Sequence, residues 1–256
     1  MTPPPSNSQA VDSQAPPLAE IDWPVSHRII RTIYPPVWLF EDIADPADWD
    51  LIASAEAKTN PRIRDQIGDL KLVPEHRRLA GPGASLAMGA FTHISRDRTS
   101  RFSNGSYGVW YCGDRFEVAL METVHHYERF MRRTAEPAAD AQFRELTAHV
   151  AGTLHDLRDT SPKNRGSKPS RFKDCLDPDD WMPAQILAAG LHRSGSDGIV
   201  YPSVRWPAGE AAALFWPDLI RLPIVQARTL QYHWDGGRVT RYFIIGGDDW
   251  YAPPRH

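Results

Sequence analysis

A short strand, a tight turn and a long apolar helix follow one another in the middle of the chain, and this unit constrains the fold more than any other feature. Residues 108–111 (GVWY) are typical of a strand, and Gly113-Asp114 are typical of a turn. A helix is predicted over Phe116–Met131, because its apolar residues recur three to four positions apart: Phe116, Leu120, Val124 and Tyr127.

The other predicted elements do not alternate along the chain. Residues 145–154 fit either a strand or a short helix, and the residues around Gly81-Pro82-Gly83 and in the basic segment 161–171 are predicted loops. Strands and helices are segregated, which favours an α+β fold over a doubly wound α/β sheet. The remaining predictions are helices over 45–57 and 181–194, a strand over 198–204, and a hairpin of 229–234 and 238–245 around Asp235-Gly236-Gly237.

The N-terminal segment differs in composition from the rest of the chain. Residues 1–21 are rich in proline, serine and glutamine, and such a segment buries too little apolar surface to offset the entropy of ordering it. Hydrophobic residues recur from Trp23 to Trp250 without a long linker or an internal repeat. We therefore expect a disordered tail over 1–21 and a single domain over 22–256.

The charge and hydropathy of the chain exclude several classes of protein. The net charge is −3 and no run of five basic residues occurs, so direct binding to nucleic acid is not expected. No apolar run approaches the roughly 20 residues that span a bilayer, and the N-terminus does not resemble a signal peptide. Cys112 and Cys175 are expected to be free buried thiols. These features predict a cytoplasmic protein.

The chain lacks the sequence motifs of several common enzyme classes. The chain contains no G-x-G-x-x-G opening a helix, no P-loop, no H-E-x-x-H and no G-x-S-x-G. His125 and His126 are adjacent and would point about 100° apart on a helix, so they do not form a metal site. The sequence thus predicts neither a bound metal nor a Rossmann cofactor.

Residues 100–128 contain the best candidates for chemistry. Arg101 and Phe102 precede a Gly/Ser/Asn loop, Tyr111 ends the predicted strand, and Glu122 lies in the apolar helix. A glutamate in that helix could serve chemistry or could lie on a solvated face, and Glu117 fits the solvated role better. The pattern alone does not decide between these roles.

The order and spacing of this block resemble the core of the RES domain family. That family has an arginine followed by an aromatic residue, a glycine-containing loop, a strand ending in tyrosine, and a helix with Ala-Leu-x-Glu. Arg101-Phe102, Tyr111 and Ala119-Leu120-Met121-Glu122 match these positions, and Ser203 in 198–205 (GIVYPSVR) matches the family serine. The resemblance extends from about Trp23 to Phe243. Phe102 replaces the commoner Trp or Tyr, and the Asn-Pro segment that many members carry after the serine is not evident.

The resemblance implies an ADP-ribosyltransferase-like fold with a central mixed or antiparallel sheet and flanking helices. It implies an enzyme that degrades NAD⁺ by hydrolysis or phosphorolysis, with NAD⁺ as substrate and no cofactor, and a toxin paired with an Xre-type antitoxin. Glu122 would stabilise the positive charge on the ribose, Arg101 would bind the pyrophosphate, Tyr111 would stack on nicotinamide, and Ser203 would orient the ribose. Phe102 is included among the substrate-binding residues.

Two other functions remain open at this point. The protein could transfer ADP-ribose to a macromolecule, or it could be a catalytically silent RES fold that serves as a binding module. Arg101 as a surface ion pair, Tyr111 as a core residue and Ser203 as a turn residue are the purely structural alternatives. The acceptor, water or phosphate, and the formation of a homo-oligomer are left open by the sequence.

Overall fold

The computed structural model describes residues 15–33, 49, 51, 54, 68–97, 99–158 and 172–254. Within these residues the chain forms a mixed sheet and three α-helices, which confirms the predicted α+β class. The helices are α1 (Ala84–Thr92), α2 (Phe116–Met131) and α3 (Met182–Arg193). The strands are β1 (Leu18–Arg31), β2 (Trp110–Gly113), β3 (Ala139–Asp156), β4 (Gly198–Pro202), β5 (Glu210–Leu214), β6 (Ile220–Trp234), β7 (Val239–Ile244) and β8 (Trp250–Tyr251).

The sheet closes on itself at one end. Its strand order is β1-β2-β5-β4-β3-β6-β7-β8, and β1 also pairs along most of its length with β3. The first five strands of this order therefore form a ring, from which β6, β7 and β8 extend as an antiparallel sheet. Of the pairings between these strands, only that of β3 with β4 is parallel.

Each helix covers a different part of the sheet. In α1, Met88 and Phe91 pack with Trp110 of β2 and with Leu146 and Val150 of β3. The small residues of α3 pack against β4 and β5. The apolar face of α2 packs on strands β1, β3, β6 and β7, and all four of the residues that predicted this face are buried: Phe116, Leu120, Val124 and Tyr127.

Most predicted elements are confirmed. The structure gives helix α2 the predicted limits, and it confirms the helix near 181–194, the strand near 198–204 and the hairpin, now β6 and β7. Residues 145–154 belong to β3, so the strand alternative is the correct one. The cysteines are free and buried. The predictions for 161–171 and, apart from Trp49, Leu51 and Ser54, for 45–57 lie outside the described residues.

The predicted end of the N-terminal tail at residue 21 is wrong. Strand β1 begins at Leu18, and Leu18–Ile21 pair antiparallel with residues 152–155 of β3. These residues follow a proline-rich segment and carry little local preference for a strand, so their order depends on a partner far away in the sequence.

None of the helices that the structure describes is long and apolar enough to cross a membrane.

Gly108 allows helix α1 to approach the chain that leads into β2. A Cβ atom at this position would lie 2.3 Å from the Ala90 carbonyl oxygen and 2.4 Å from the Phe91 Cα atom. Because both are backbone atoms, a side chain can be accommodated only if α1 moves away from β2. This approach therefore requires a glycine.

We predict that Gly108→Ala lowers the free energy of unfolding by about 1–3 kcal/mol, the usual cost of overpacking. Gly190→Ala is the matched control, because no atom lies within 4 Å of a Cβ at this position in α3. Removing a helical glycine there should stabilise the protein by about 0.5–1 kcal/mol. Denaturant unfolding measures both values, and equal effects would contradict the packing described for Gly108.

Candidate active site

A cavity lies where strands β1 and β2 face helix α2 and the residue before α3. It has a volume of about 880 Å³, counting the solvent at its open mouth. The sequence-predicted residues Arg101, Tyr111 and Glu122 all line it. The other polar or aromatic residues of its lining are His27, Arg28, Ser100, Cys112, Thr123, His126, Trp181, Tyr201 and Arg205.

The side chain of Arg101 is held by two backbone carbonyl groups. Its side chain is largely buried, and Nη1 donates hydrogen bonds to the carbonyl oxygens of Cys175 (3.1 Å) and Asp177 (2.6 Å). Within the described residues, Nε and Nη2 of Arg101 make no hydrogen bond, and neither is a fully buried atom without a partner. One N–H edge of the guanidinium is therefore free to bind an anion.

The hydroxyl of Tyr111 is fixed by the neighbouring loop. It accepts a hydrogen bond from the Phe102 N–H at 2.9 Å and bonds to the Ser100 hydroxyl at 2.8 Å. Burial raises the pKa of Tyr111 to about 12, which the hydrogen bond from Ser100 partly opposes. The tyrosine is therefore neutral at physiological pH, and its ring has a fixed orientation at the cavity wall.

Glu122 is the carboxylate that helix α2 presents to the cavity. Burial raises its pKa above the usual value, and the charges of Arg205 and Arg101 oppose this shift. The exposed fraction of the side chain is 27%, and Nε2 of His126 lies 3.7 Å from Oε2. Burial and Arg205 lower the pKa of His126, so this contact joins a carboxylate to a neutral imidazole at physiological pH. Glu117, one and a half turns away, does not line the cavity.

Two arginines of the cavity were missed by the sequence analysis. Nη2 of Arg205 donates hydrogen bonds to Nε2 of His125 (2.9 Å) and to the carbonyl oxygen of Pro178 (3.0 Å). Arg28 donates to the Tyr111 carbonyl oxygen at 3.0 Å, and its guanidinium lies 4.5 Å from the centre of the Trp110 ring. Arg205 could have been found as the charged residue directly after the predicted strand 198–204, whereas no local pattern distinguishes Arg28.

Two predicted contact residues lie elsewhere. Ser203 is 3% exposed and does not line the cavity; its Oγ accepts a hydrogen bond from the Trp206 N–H at 3.0 Å. This is the turn-forming role that the sequence left as an alternative. Phe102 has no exposed surface, and its ring packs against that of Tyr201 at 4.9 Å. The side chain of Phe102 therefore does not line the cavity, and only its backbone N–H contacts Tyr111.

The cavity combines three guanidinium groups with one carboxylate. Arg28, Arg101 and Arg205 make it positively charged, which suits an anionic ligand, and Glu122 supplies a single negative charge. Among the described residues, no three His, Cys, Asp or Glu side chains gather in a way that could hold a metal ion. This distribution of charge can bind an anion and stabilise positive charge that develops on a bound substrate.

Comparison with known proteins defines the class of this protein. The family model of the RES domain matches residues 75–235, which is more than half of the chain and includes all the central residues of the cavity except those of β1. The chain belongs to the RES domain family.

Two individual proteins are similar to this chain. The uncharacterized protein y4oC of Sinorhizobium fredii is 24% identical over 224 residues, which cover 86% of both chains. In the crystal structure of the M. tuberculosis MbcT–MbcA toxin–antitoxin complex, one chain is similar with a TM-score of 0.40 and 12% identity. That match covers 86% of this chain and 90% of the other. A likeness this distant defines neither a substrate nor a partner.

Proposed function

We propose that this protein cleaves the nicotinamide–ribose bond of NAD⁺. The observation that carries the proposal is the position of Glu122, a partly exposed carboxylate in a cavity that otherwise contains three arginines. NAD⁺ matches this distribution of charge, because its pyrophosphate is anionic and its ribose becomes positively charged as nicotinamide leaves. The resemblance of residues 100–128 to the RES core points to the same substrate.

Glu122 acts on the transition state of this reaction. As the bond to nicotinamide lengthens, positive charge builds on the ribose ring, and a fixed carboxylate nearby stabilises that charge. Burial removes part of the hydration of the Glu122 carboxylate, so its field is less screened than it would be in water. Burial raises the pKa of Glu122, and the charges of Arg205 and Arg101 oppose that rise and so favour the ionised form.

The arginines and Tyr111 bind the rest of the substrate. The free edge of Arg101, formed by Nε and Nη2, can donate two parallel hydrogen bonds to pyrophosphate oxygens. The fixed ring of Tyr111 provides a surface on which nicotinamide can stack. Ser203 has no place in this mechanism, because its hydroxyl is engaged in a buried turn.

We predict that Glu122→Gln lowers the rate of NAD⁺ cleavage by about 10²–10³, the usual cost of losing a preorganised electrostatic group. Glu117→Gln is the matched control, because it changes the same residue type on the same helix outside the cavity. Release of nicotinamide by folded protein measures both rates. Equal rates for the two variants would remove Glu122 from the mechanism.

We predict that Arg101→Lys weakens the binding of NAD⁺ by about tenfold or more, because an ammonium lacks the planar fork that pyrophosphate accepts. Arg132→Lys is the control, since Arg132 directly follows α2 and neither it nor its ion-pair partner Glu128 lines the cavity. Calorimetric titration of the inactive Glu122→Gln protein with NAD⁺ gives the affinities. An unchanged affinity in Arg101→Lys would contradict the pyrophosphate role.

The same proposal includes a cellular role. We propose that the protein acts in the cytoplasm as a toxin and that an Xre-type antitoxin blocks the cavity. Met182 and Ile186 on α3 are 65% and 68% exposed, beside Trp181 at the cavity, and they offer an apolar surface to such a protein. The anionic end of the partner chain would contact Arg101 in place of the substrate.

Expression in bacteria tests this role. We expect the lone wild-type chain to arrest growth and to deplete cellular NAD⁺, and the Glu122→Gln chain to do neither. Co-expression with the antitoxin gene that neighbours the gene of this protein should restore growth. Normal growth and unchanged NAD⁺ with the lone, soluble wild-type chain would contradict the toxin role.

The two other functions give different products. A transferase would leave ADP-ribose attached to a macromolecule, and a silent binding module would leave NAD⁺ intact. Labelled NAD⁺ therefore separates all three functions in one assay.

A further inference from the structure

We propose that His27 is the general base of the reaction, that Glu145 positions it, and that the group it activates is water. This inference rests on the proposed cleavage of NAD⁺ and names the residue that prepares the acceptor. His27 lies on β1 and lines the cavity that also contains Glu122. No motif in the sequence indicates this role.

Glu145 fixes the orientation of the imidazole. It lies on β3 with no exposed surface, and its Oε1 is 2.6 Å from Nδ1 of His27. Nε of Arg228 lies 2.9 Å from the other oxygen, Oε2, so the buried carboxylate has a cation beside it. A buried carboxylate in this position accepts the proton of Nδ1–H and thereby selects the tautomer of the histidine.

The other nitrogen of His27, Nε2, keeps its lone pair, and the residue lines the cavity. Nε2 forms no hydrogen bond within the described part of the chain, yet it is not among the fully buried atoms that lack a partner. The side chain as a whole is 14% exposed. An oriented imidazole with one accessible lone pair is the arrangement that general bases require.

His27 and Glu122 approach the cavity from different elements. Helix α2 carries Glu122 and packs against β1, where the Thr123 hydroxyl contacts the carbonyl oxygen of Ile29 at 3.5 Å. Glu122 can therefore stabilise the ribose while His27 handles the incoming acceptor. Phosphate dianion already carries a nucleophilic oxygen, whereas water must lose a proton as it attacks. A base is useful only for the second, which is why the pair points to water.

The step balances without any further reactant. The water oxygen forms a bond to the anomeric carbon as the bond from that carbon to nicotinamide breaks, and the electron pair leaves with neutral nicotinamide. Nε2 of His27 takes the proton of the water and later releases it to solvent. The products are ADP-ribose, nicotinamide and one proton.

The test compares His27→Gln with His233→Gln. Nδ1 of His233 lies 2.7 Å from a carboxylate oxygen of Asp140, outside the cavity, so the control breaks a pair of the same kind. We expect kcat to fall by about 10²–10⁴ in His27→Gln with little change in KM. We expect His233→Gln to match the wild type.

The pH profile provides a readout that a structural role would not change. The base must be unprotonated, so we expect the wild-type kcat to fall towards acidic pH, and this acidic limb of the profile should be missing in His27→Gln. The titratable and charged groups around His27 are Glu145, Arg228, Arg28, Tyr111, Cys112, Glu122, His126, Arg101 and Arg205. An unchanged profile would overturn the inference. Added imidazole should restore activity to folded His27→Ala, and a failure to do so would overturn the inference as well.

Two measurements on the wild type remain decisive if the variants do not fold. Nitrogen NMR should show His27 protonated at Nδ1 and bare at Nε2, and the rate of NAD⁺ loss should not depend on phosphate. The opposite tautomer, or an absolute need for phosphate, would overturn this inference alone, since NAD⁺ would still be cleaved. A wild-type protein that leaves NAD⁺ intact would overturn the proposed function as well.

Discussion

The long antiparallel pairing of β1 with β3 is the interaction on which the cavity depends. It joins residues 18–31 to residues 143–155 and closes the ring of strands, because β1 then also reaches β2 at His27 and Gly113. The backbone hydrogen bonds of the ladder hold β1 in register, and a one-residue shift would turn every side chain to the other face. The pairing therefore determines that His27 reaches Glu145 and faces α2 across the cavity.

The second constraint is the balance of charge inside the cavity. Arg28, Arg101 and Arg205 are all partly or largely buried, and burial lowers the pKa of Arg28 to about 10 and lowers that of Arg205. Backbone carbonyls and aromatic rings stabilise these cations and leave room for an anion, while Glu122 opposes their charge only in part. A site built this way is stabilised when an anionic ligand enters, which fits a dinucleotide substrate.

The sequence predicted those parts of the site that are local. Tyr111 and Glu122 lie within one strand–turn–helix unit, and Arg101 lies in the loop just before it. Their spacing along the chain therefore carries information about their spacing in the cavity. Arg28 and His27 lie on β1, which meets the rest of the cavity only through strand pairing, and no pattern in a single sequence shows that pairing. Ser203 was chosen by resemblance, and the turn at Trp206 takes its hydroxyl out of the cavity. The limit of the predicted tail at residue 21 was wrong because Leu18–Ile21 are ordered by pairing with the distant strand β3.

The most direct test of the central claim is to incubate the purified wild-type protein with NAD⁺ and identify the products by mass spectrometry. The account predicts that nicotinamide and a free ADP-ribose product appear in equal amounts as NAD⁺ disappears. Persistence of intact NAD⁺ in the presence of folded protein would contradict it. So would the appearance of ADP-ribose bound only to a macromolecule.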